Sequence, residues 1–205
     1  MGRLGIFGGT FDPPHMGHLI LAADAQSQLY LDKVLWILTP DPPHKEGQYL
    51  TLLKHRLDML LASISDDPFF QLSRIDIDRP APHYALDTVR LLAEIYTNDE
   101  LIYLMGGDSL RDLPAWYQPQ MFVNACDGIG VMRRPGDGVD MQMLERELPG
   151  ISQKVNFIDT PLIAISSSDI RRRASLGSPI RYFLPAPVIR IIQERKLYKY
   201  NPVSQ

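Results

Sequence analysis

Two histidines, His15 and His18, lie three positions apart where a loop enters a predicted helix. Residues at this spacing share one face of a helix, so we expect both rings to point into the same space. A helix N-terminus presents N–H groups and partial positive charge, which favour phosphate. Imidazoles at that position would donate hydrogen bonds to phosphate oxygens as negative charge moves during group transfer. The pair therefore indicates phosphate chemistry.

The histidine pair has two other interpretations. Single histidines are often structural, but the Gly8-Gly9 and Pro13-Pro14 pairs just before these two favour a functional role. A metal site would need a third ligand, and none has suitable spacing; the zinc-enzyme signature is also absent. We therefore predict no protein-held metal.

Two glycine pairs follow predicted strands, and each precedes an acid. Gly8 and Gly9 follow the first strand and lead to Asp12, whereas Gly106-Gly107 follows the fourth strand and leads to Asp108. Glycine lets a ligand approach the backbone closely, and N–H groups exposed in such turns suit phosphate. An ordinary tight turn remains the alternative at each position.

A second phosphate cradle is predicted near the C-terminus. The hydroxyls of Ser167 and Ser168 fall at a predicted helix start, and Arg171 follows about one turn later. Arginine suits phosphate because its planar fork can bond two oxygens. We expect Arg172 and Arg173 to lie on a solvated face, and a plain capped helix is the alternative for the whole segment.

Alternating strands and helices must position these residues. The predicted strands are Arg3–Phe7, Val34–Leu38, Phe69–Ile77, Glu100–Met105, Gly128–Met132 and Lys154–Ile158. The predicted helices are Met16–Tyr30, Leu52–Ile64, Tyr84–Tyr96, Met141–Leu148, Ser168–Ser175 and Pro187–Lys196, with short helical pieces around Leu110 and Phe122.

This alternation predicts an α/β fold, with a Rossmann-like, doubly wound, mainly parallel sheet and helices on both faces. Ligands of such sheets bind beyond the carboxyl ends of the strands, where the strand order reverses. The chain shows no internal repeat or linker. We therefore expect one domain over residues 1–205, with a small helical C-terminal part from about residue 166.

The composition excludes several classes of protein. The chain has 205 residues, of which 21 are basic and 24 acidic, so its formal charge is −3. General nucleic-acid binders carry a basic excess, so we expect no nucleic-acid partner. The single cysteine, Cys126, excludes an internal disulfide and favours a cytoplasmic location. No signal peptide or membrane-spanning segment is evident, so we expect no membrane partner.

The segments Gly8–His18 and Ile165–Arg171 resemble those of the nucleotidyltransferase α/β-phosphodiesterase superfamily. Within it, the chain resembles the bacterial nicotinate mononucleotide adenylyltransferase family over nearly its whole length. Further matching segments are Pro42–Lys45, Gly107-Asp108 with Trp116, Arg133–Gly136, and the ending Leu184-Pro185 through Leu197-Tyr198.

The resemblance implies a nucleotidyltransferase domain that joins ATP and nicotinate mononucleotide, with Mg²⁺, in NAD biosynthesis. The products would be deamido-NAD and pyrophosphate. The mononucleotide phosphate would attack the α-phosphate of ATP directly, without a covalent intermediate. A phosphate is already ionised near neutral pH, its second pKa being about 6, so no strong general base is required. In-line positioning and charge stabilisation then carry the catalysis.

The resemblance also implies roles for particular residues. His15, His18 and Arg171 are the expected catalytic residues, with His18 foremost in the transition state. The expected ATP ligands are Gly8, Gly9, Thr10, Phe11, His15, His18, Lys45, Gly106, Asp108, Ser167, Ser168 and Arg171. The expected ligands of nicotinate mononucleotide are Thr10, Phe11, Lys45, Thr88, Trp116, Tyr117, Arg133 and Arg134.

Recognition of the pyridine ring rests on three of these residues. Thr88 follows a Tyr-x-x-Asp stretch found in the family, and Trp116 with Tyr117 matches an aromatic pair that would stack on the ring. Core packing is the alternative for both aromatic residues. The pyridine carboxylate would meet backbone N–H groups, Arg133 or Arg134. The family often has threonine where this chain has Ser168, and the hydroxyl is preserved.

Several alternatives remain open. A sister enzyme, pantetheine-phosphate adenylyltransferase, is usually shorter and has Thr-x-Gly-His where this chain has His15–His18. A cytidylyltransferase usually lacks the Pro13-Pro14 pair. A catalytically silent nucleotide sensor and a protein-interaction scaffold are further alternatives. The sequence leaves open a homo-oligomer, the preference for nicotinate over nicotinamide, the divalent ion, and closure of loop Thr39–Leu50 on the substrate.

Overall fold

Short apolar segments form the strands of one sheet in the part of the chain that the structure describes. The computed structural model describes residues 2–42, 50–132, 138–161 and 164–199. The strands are β1 (Arg3–Gly9), β2 (Lys33–Leu38), β3 (Phe70–Ser73), β4 (Glu100–Gly106), β5 (Gly128–Met132) and β6 (Val155–Ile158). β1, β2, β4 and β5 consist mainly of buried residues, as expected of strands that helices cover on both sides.

The strand order across the sheet is β3-β2-β1-β4-β5-β6, and each neighbouring pair is parallel. β1 lies in the centre, where Gly9 is in register with Leu38 of β2 and Phe7 with Leu104 of β4. The direction of winding reverses between β1 and β4, which opens a crevice at their carboxyl ends. The predicted Rossmann-like, doubly wound α/β fold is confirmed.

Helices cover both faces of this sheet. They are α1 (Met16–Gln28), α2 (Leu53–Ile64), α3 (Ala85–Ile95), α4 (Gly107–Arg111), α5 (Pro119–Ala125), α6 (Met141–Glu147), α7 (Ile151–Lys154), α8 (Ser167–Ser175) and α9 (Ala186–Glu194). Ile6 and Phe7, adjacent in β1, point to opposite faces and belong to different apolar clusters. α1 and α2 cover the Phe7 face, and α3, α5 and α6 cover the Ile6 face.

The C-terminal helices form a third apolar cluster beside the sheet. Ile170 of α8 packs with Leu184, with Val188 and Ile192 of α9, and with Met59 of α2. This packing fixes the start of α8 relative to the sheet. The prediction of one domain over residues 1–205, with a helical part from about residue 166, stays a prediction.

Two local predictions were wrong, and one short helix was not predicted. β3 ends at Ser73, not Ile77, because the backbone turns there: the N–H of Asp78 donates to the carbonyl of Arg74 at 2.9 Å. The first glycine pair does not follow β1 but ends it at Gly9, and the second is divided between Gly106, which ends β4, and Gly107, which begins α4. The short helix α7 was not predicted, since four residues are too few to show a helical period.

None of the helices in the described ranges is long and apolar enough to cross a membrane.

Candidate active site

A cavity of about 970 Å³ opens at the carboxyl ends of β1 and β4. It lies at the point where the strand order reverses, as predicted from the alternation of elements. Every predicted site residue in the described ranges lines it: Gly8, Gly9, Thr10, Phe11, His15, His18, Thr88, Gly106, Asp108, Trp116, Tyr117, Ser167, Ser168 and Arg171. Lys45, Arg133 and Arg134 lie outside the described residues, so their predicted contacts stay predictions.

The two histidines meet at the start of α1. His15 is the N-cap residue, and its ring stacks on that of His18 with centroids 3.6 Å apart and an interplanar angle of 18°. The backbone N–H of His15 donates to Nδ1 of His18 at 3.2 Å. Because Nδ1 accepts this bond, the neutral His18 ring carries its proton on Nε2. The sequence spacing thus gives a preset donor in the cavity.

Buried aromatic rings hold His18 in place. Phe7 and Phe11 contact the His18 ring edge-on, with centroids 6.0 and 5.1 Å away. Phe11 is 2% exposed and has a φ of 45°, so the chain turns sharply at this residue. A Cβ on Gly9 would lie 3.0 Å from the Phe11 ring. Glycine at this position therefore lets the ring pack beneath the histidines.

The start of α8 binds the backbone of the loop before His15. The hydroxyl of Ser167 donates to the carbonyl of Pro13 at 2.9 Å, and Nη1 of Arg171 donates to the carbonyl of Asp12 at 2.7 Å. Both residues also line the cavity. The guanidinium of Arg171 has further N–H donors, so one side chain can brace the loop and meet an anion.

The remaining residues of the predicted serine cradle divide into two groups. Ser166 and Ser168 are both exposed and both line the cavity, and Ser166 also caps α8 by accepting from the N–H of Asp169 at 3.1 Å. Arg172 and Arg173 both bind the carboxylate of Asp169, each at 2.6 Å. Hydrogen bonds from Arg173, which has the larger effect, and from Arg172 lower the pKa of Asp169. These two arginines lie outside the cavity lining, as predicted.

The opposite wall of the cavity is formed by β4, α4 and the aromatic residues that follow. Gly106 ends β4, and a Cβ added there would meet nothing within 4 Å. Asp108 is exposed, and its Oδ1 lies 3.5 Å from Nη1 of Arg111. Trp116 is half-buried against Tyr103 and Phe122. Trp116 therefore belongs to the core and to the cavity lining at once.

Tyr117 has a partner that the sequence did not suggest. Its ring stacks on Tyr84, the N-cap residue of α3, with centroids 4.1 Å apart and an interplanar angle of 16°. Tyr117 is nevertheless 47% exposed. Both rings line the cavity, so this stacked pair forms an aromatic surface beside the start of α3.

A buried polar cluster around Thr88 lies at the same end of the cavity, and its other members were not predicted from the sequence. The hydroxyl of Thr88 donates to Oδ1 of Asp76 at 2.8 Å, and Nε of Arg79 donates to the same oxygen at 2.9 Å. The ring of His83 lies beside them, with Nε2 3.3 Å from the carbonyl of Arg79. Asp76 and His83 line the cavity. The spacing of Asp76 and Arg79, an acid three residues before an arginine, was the available signal. Asp76 fell within the predicted strand Phe69–Ile77, where this spacing does not indicate a contact.

A buried arginine supports the loops around the cavity. Arg56 is 2% exposed and donates to the backbone carbonyls of Thr10, Thr39, Pro40 and Thr51, at 3.1, 2.9, 2.7 and 2.9 Å. Burial lowers its pKa, while the charges of Asp12, Asp41 and Tyr198 act in the opposite direction. This guanidinium satisfies backbone carbonyls and is not a ligand-binding group.

In the described residues, His, Cys, Asp and Glu do not gather in groups of three or more that could hold a metal ion. We therefore assign none of the described side chains to a metal. A divalent ion that arrives on a polyphosphate would be part of the substrate.

The fold and the cavity define a nucleotidyltransferase-type α/β protein, and residues 6–173 match the Cytidylyltransferase-like family. A probable nicotinate-nucleotide adenylyltransferase of Thermomicrobium roseum is 44% identical over 97% of this chain and 92% of its own length. The nicotinate-nucleotide adenylyltransferase of Bacillus subtilis is 38% identical over 97% and 100%, respectively. The chain therefore belongs to the nicotinate-nucleotide adenylyltransferase family.

A solved structure confirms the fold independently. Nicotinic acid mononucleotide adenylyltransferase of Plasmodium falciparum, complexed with NaAD, superposes with a TM-score of 0.81 at 19% identity. The match covers 98% of this chain and all of the other. At such identity the comparison supports the fold alone.

Proposed function

We propose that this chain joins ATP and nicotinate mononucleotide to give deamido-NAD and pyrophosphate. The observation that carries this proposal is the stacked His15–His18 pair at the crevice between β1 and β4, in a chain of this family. An oxygen of the mononucleotide phosphate forms a bond to the α-phosphorus of ATP. The bond from that phosphorus to the β-phosphate bridging oxygen breaks, and pyrophosphate leaves with its electron pair.

The cavity is suited to this reaction without a nucleophilic side chain. The attacking phosphate is already ionised near neutral pH, since its second pKa is about 6. The protein's contribution is then to align the two substrates and to stabilise the charge that moves to the leaving group. His18 donates from Nε2, while Arg171 and Ser168, on the α8 side, meet the β- and γ-phosphates.

The two substrates occupy different ends of the cavity in this proposal. The adenosine lies near Gly106 and Asp108, where a carboxylate can accept from ribose hydroxyls. The pyridine ring lies near Trp116 and the Tyr84–Tyr117 stack. The first-turn N–H groups of α3, whose N-cap residue makes no side-chain cap, are the donors for the pyridine carboxylate.

Three further assignments belong to the proposal. Mg²⁺ enters with the phosphates of ATP, because this ion is usually held by substrate phosphates and few protein ligands. A net charge of −3 supports small nucleotides rather than nucleic acid as partners. The buried, unpaired Cys126 is compatible with a reducing cytoplasm.

Turnover with alternative acceptors tests this function. Purified chain is incubated with ATP, Mg²⁺ and either nicotinate mononucleotide, nicotinamide mononucleotide or phosphopantetheine, and the products are separated chromatographically. Deamido-NAD with an equal amount of pyrophosphate is the expected result. Preference for phosphopantetheine would assign the sister activity. ATP binding without turnover would indicate a sensor, and no ATP binding would indicate a scaffold.

A further inference from the structure

The side chain of Asp76 is buried at the end of the cavity where the proposed function places the pyridine ring. It is 4% exposed, lines the cavity and accepts from both Thr88 and Arg79. An unpaired carboxylate in this position would repel an anionic ligand group, and the effect is large where water is excluded. Its charge must therefore be compensated if a pyridine carboxylate is to bind nearby.

Arg79 supplies that compensation and is well fixed. Its side chain is 14% exposed, and its Nε donates to Asp76 at 2.9 Å. Nη1 donates to the carbonyl of Pro82 at 2.8 Å, and Nη2 lies 3.3 Å from both the carbonyl of Tyr84 and the hydroxyl of Thr88. One guanidinium thus joins the turn after β3 to the N-cap residue of α3.

This network also decides what Thr88 can do. Its hydroxyl has one proton, which has two acceptors in reach: Oδ1 of Asp76 at 2.8 Å and the carbonyl of Tyr84 at 3.2 Å. The hydroxyl oxygen accepts from Nη2 of Arg79 at 3.3 Å. A carboxylate ligand needs donors, so the Thr88 hydroxyl is not available to it. The side chain instead anchors α3 in the orientation that presents its first-turn N–H groups.

We propose that Asp76 and Arg79 are positioning residues that set the preference for an anionic over a neutral pyridine ring. This inference rests on the proposed function. Asp76 engages the Thr88 proton and orients α3, and Arg79 cancels the negative charge of Asp76. Removing the charge of either partner should therefore change the preference in opposite directions, which a merely structural role would not do.

The test compares kcat/KM for nicotinate and nicotinamide mononucleotide in four variants. Arg79→Gln leaves the Asp76 charge uncompensated, so the preference for nicotinate should fall about tenfold. Arg79→Lys keeps a positive charge and should retain the preference even where overall efficiency falls. Asp76→Asn leaves the Arg79 charge without its partner and should increase the preference for nicotinate. Arg74→Gln, which removes an exposed pair with Asp78 in the same turn, is the matched control and should change nothing.

The KM for ATP should stay within about twofold of wild type in every variant, since the adenosine lies at the other end. Equal preferences in Arg79→Gln and Asp76→Asn, or a parallel rise in the KM for ATP, would overturn the proposal. If Arg79→Gln does not fold, Asp76→Asn decides: a fall in its nicotinate preference overturns the charge argument. A wild-type chain that makes no deamido-NAD overturns the proposed function as well. An active wild type, with variants whose preference for nicotinate over nicotinamide mononucleotide equals that of wild type, overturns this inference alone.

Discussion

The hydroxyl of Tyr198 donates a 2.7 Å hydrogen bond to Oδ1 of Asp12, in the loop that connects β1 to α1. Asp12 is 1% exposed, and its Oδ2 accepts from the backbone N–H of Thr51 at 3.0 Å. One buried carboxylate thereby joins the C-terminal segment, the residues before α2 and the loop that carries His15. Burial raises the pKa of Tyr198, and the charge of Asp12 raises it further. The hydroxyl therefore stays protonated and remains a donor.

Replacing Tyr198 with phenylalanine should destabilise the fold. The change leaves a buried carboxylate oxygen without its donor, which costs about 1–3 kcal/mol. The measurement is the free energy of unfolding in urea. Tyr182→Phe is the matched control, because Tyr182 is 83% exposed and should change that free energy by less than about 0.5 kcal/mol. Equal effects of the two changes would show that the bond to Asp12 contributes nothing.

Replacing His18 with alanine should abolish most turnover and spare binding. Loss of one preset donor to a developing negative charge costs about 10²–10³ in kcat. The affinity for ATP should stay within a few-fold, as measured by calorimetry. His18→Asn can keep an acceptor for the N–H of His15 yet lacks Nε2, so it should lose kcat as well. His55→Ala, on α2 and outside the cavity lining, is the control. Undiminished turnover in His18→Asn would remove His18 from the transition state.

The order of the strands and of the longer helices was predictable because each of them carries its own signal. Apolar runs ending in glycine gave β1 and β4, and the serines before α8 indicated its capped start. The end of β3 was not predictable in this way. Ile75 and Ile77 continue an alternating apolar pattern, but the Arg74–Asp78 pair and its backbone turn close the chain on itself. A local turn overrode the β pattern.

The candidate site was predictable where the ligand-facing groups are contiguous in sequence. The spacing of His15 and His18 predicted one shared space, and the two rings do stack. The bracing contacts were not predictable, since they join residues far apart in the chain: Ser167 binds Pro13 across 154 positions, and Tyr198 binds Asp12 across 186. No periodicity records such pairs, which depend on how α8 and the C-terminal segment pack.

Replacing Gly106 with alanine should weaken ATP binding without destabilising the fold. The new Cβ would meet nothing within 4 Å, and the φ of −82° suits alanine. We expect Tm to stay within about 2 °C of wild type and the Kd for an ATP analogue to rise about tenfold, because the methyl group occupies space at the cavity wall. Gly130→Ala is the comparison, since its Cβ would lie 2.8 Å from Leu104 and Leu29 and should lower Tm. Unchanged ATP affinity in Gly106→Ala would move the adenosine away from β4.

Stability should fall at alkaline pH, first through Cys126. Burial raises the pKa of this thiol from its ordinary 9.0 to about 12. Its stabilising contribution is complete below pH 9.0 and is lost as the pH rises towards 12, because only the unfolded chain releases the proton in that window. The slope is about 1.4 kcal/mol per pH unit for one group. Burial also raises the pKa of Tyr103 above its ordinary 10.0. Ionisation of Tyr103 therefore lowers stability in the same way, but only above pH 10.0. The free energy of unfolding in urea is measured for wild type and Cys126→Ala across this range. Between pH 9.0 and 10.0 it should fall less steeply with pH in the variant than in wild type. Parallel curves would show that the folded thiol ionises as readily as the unfolded one.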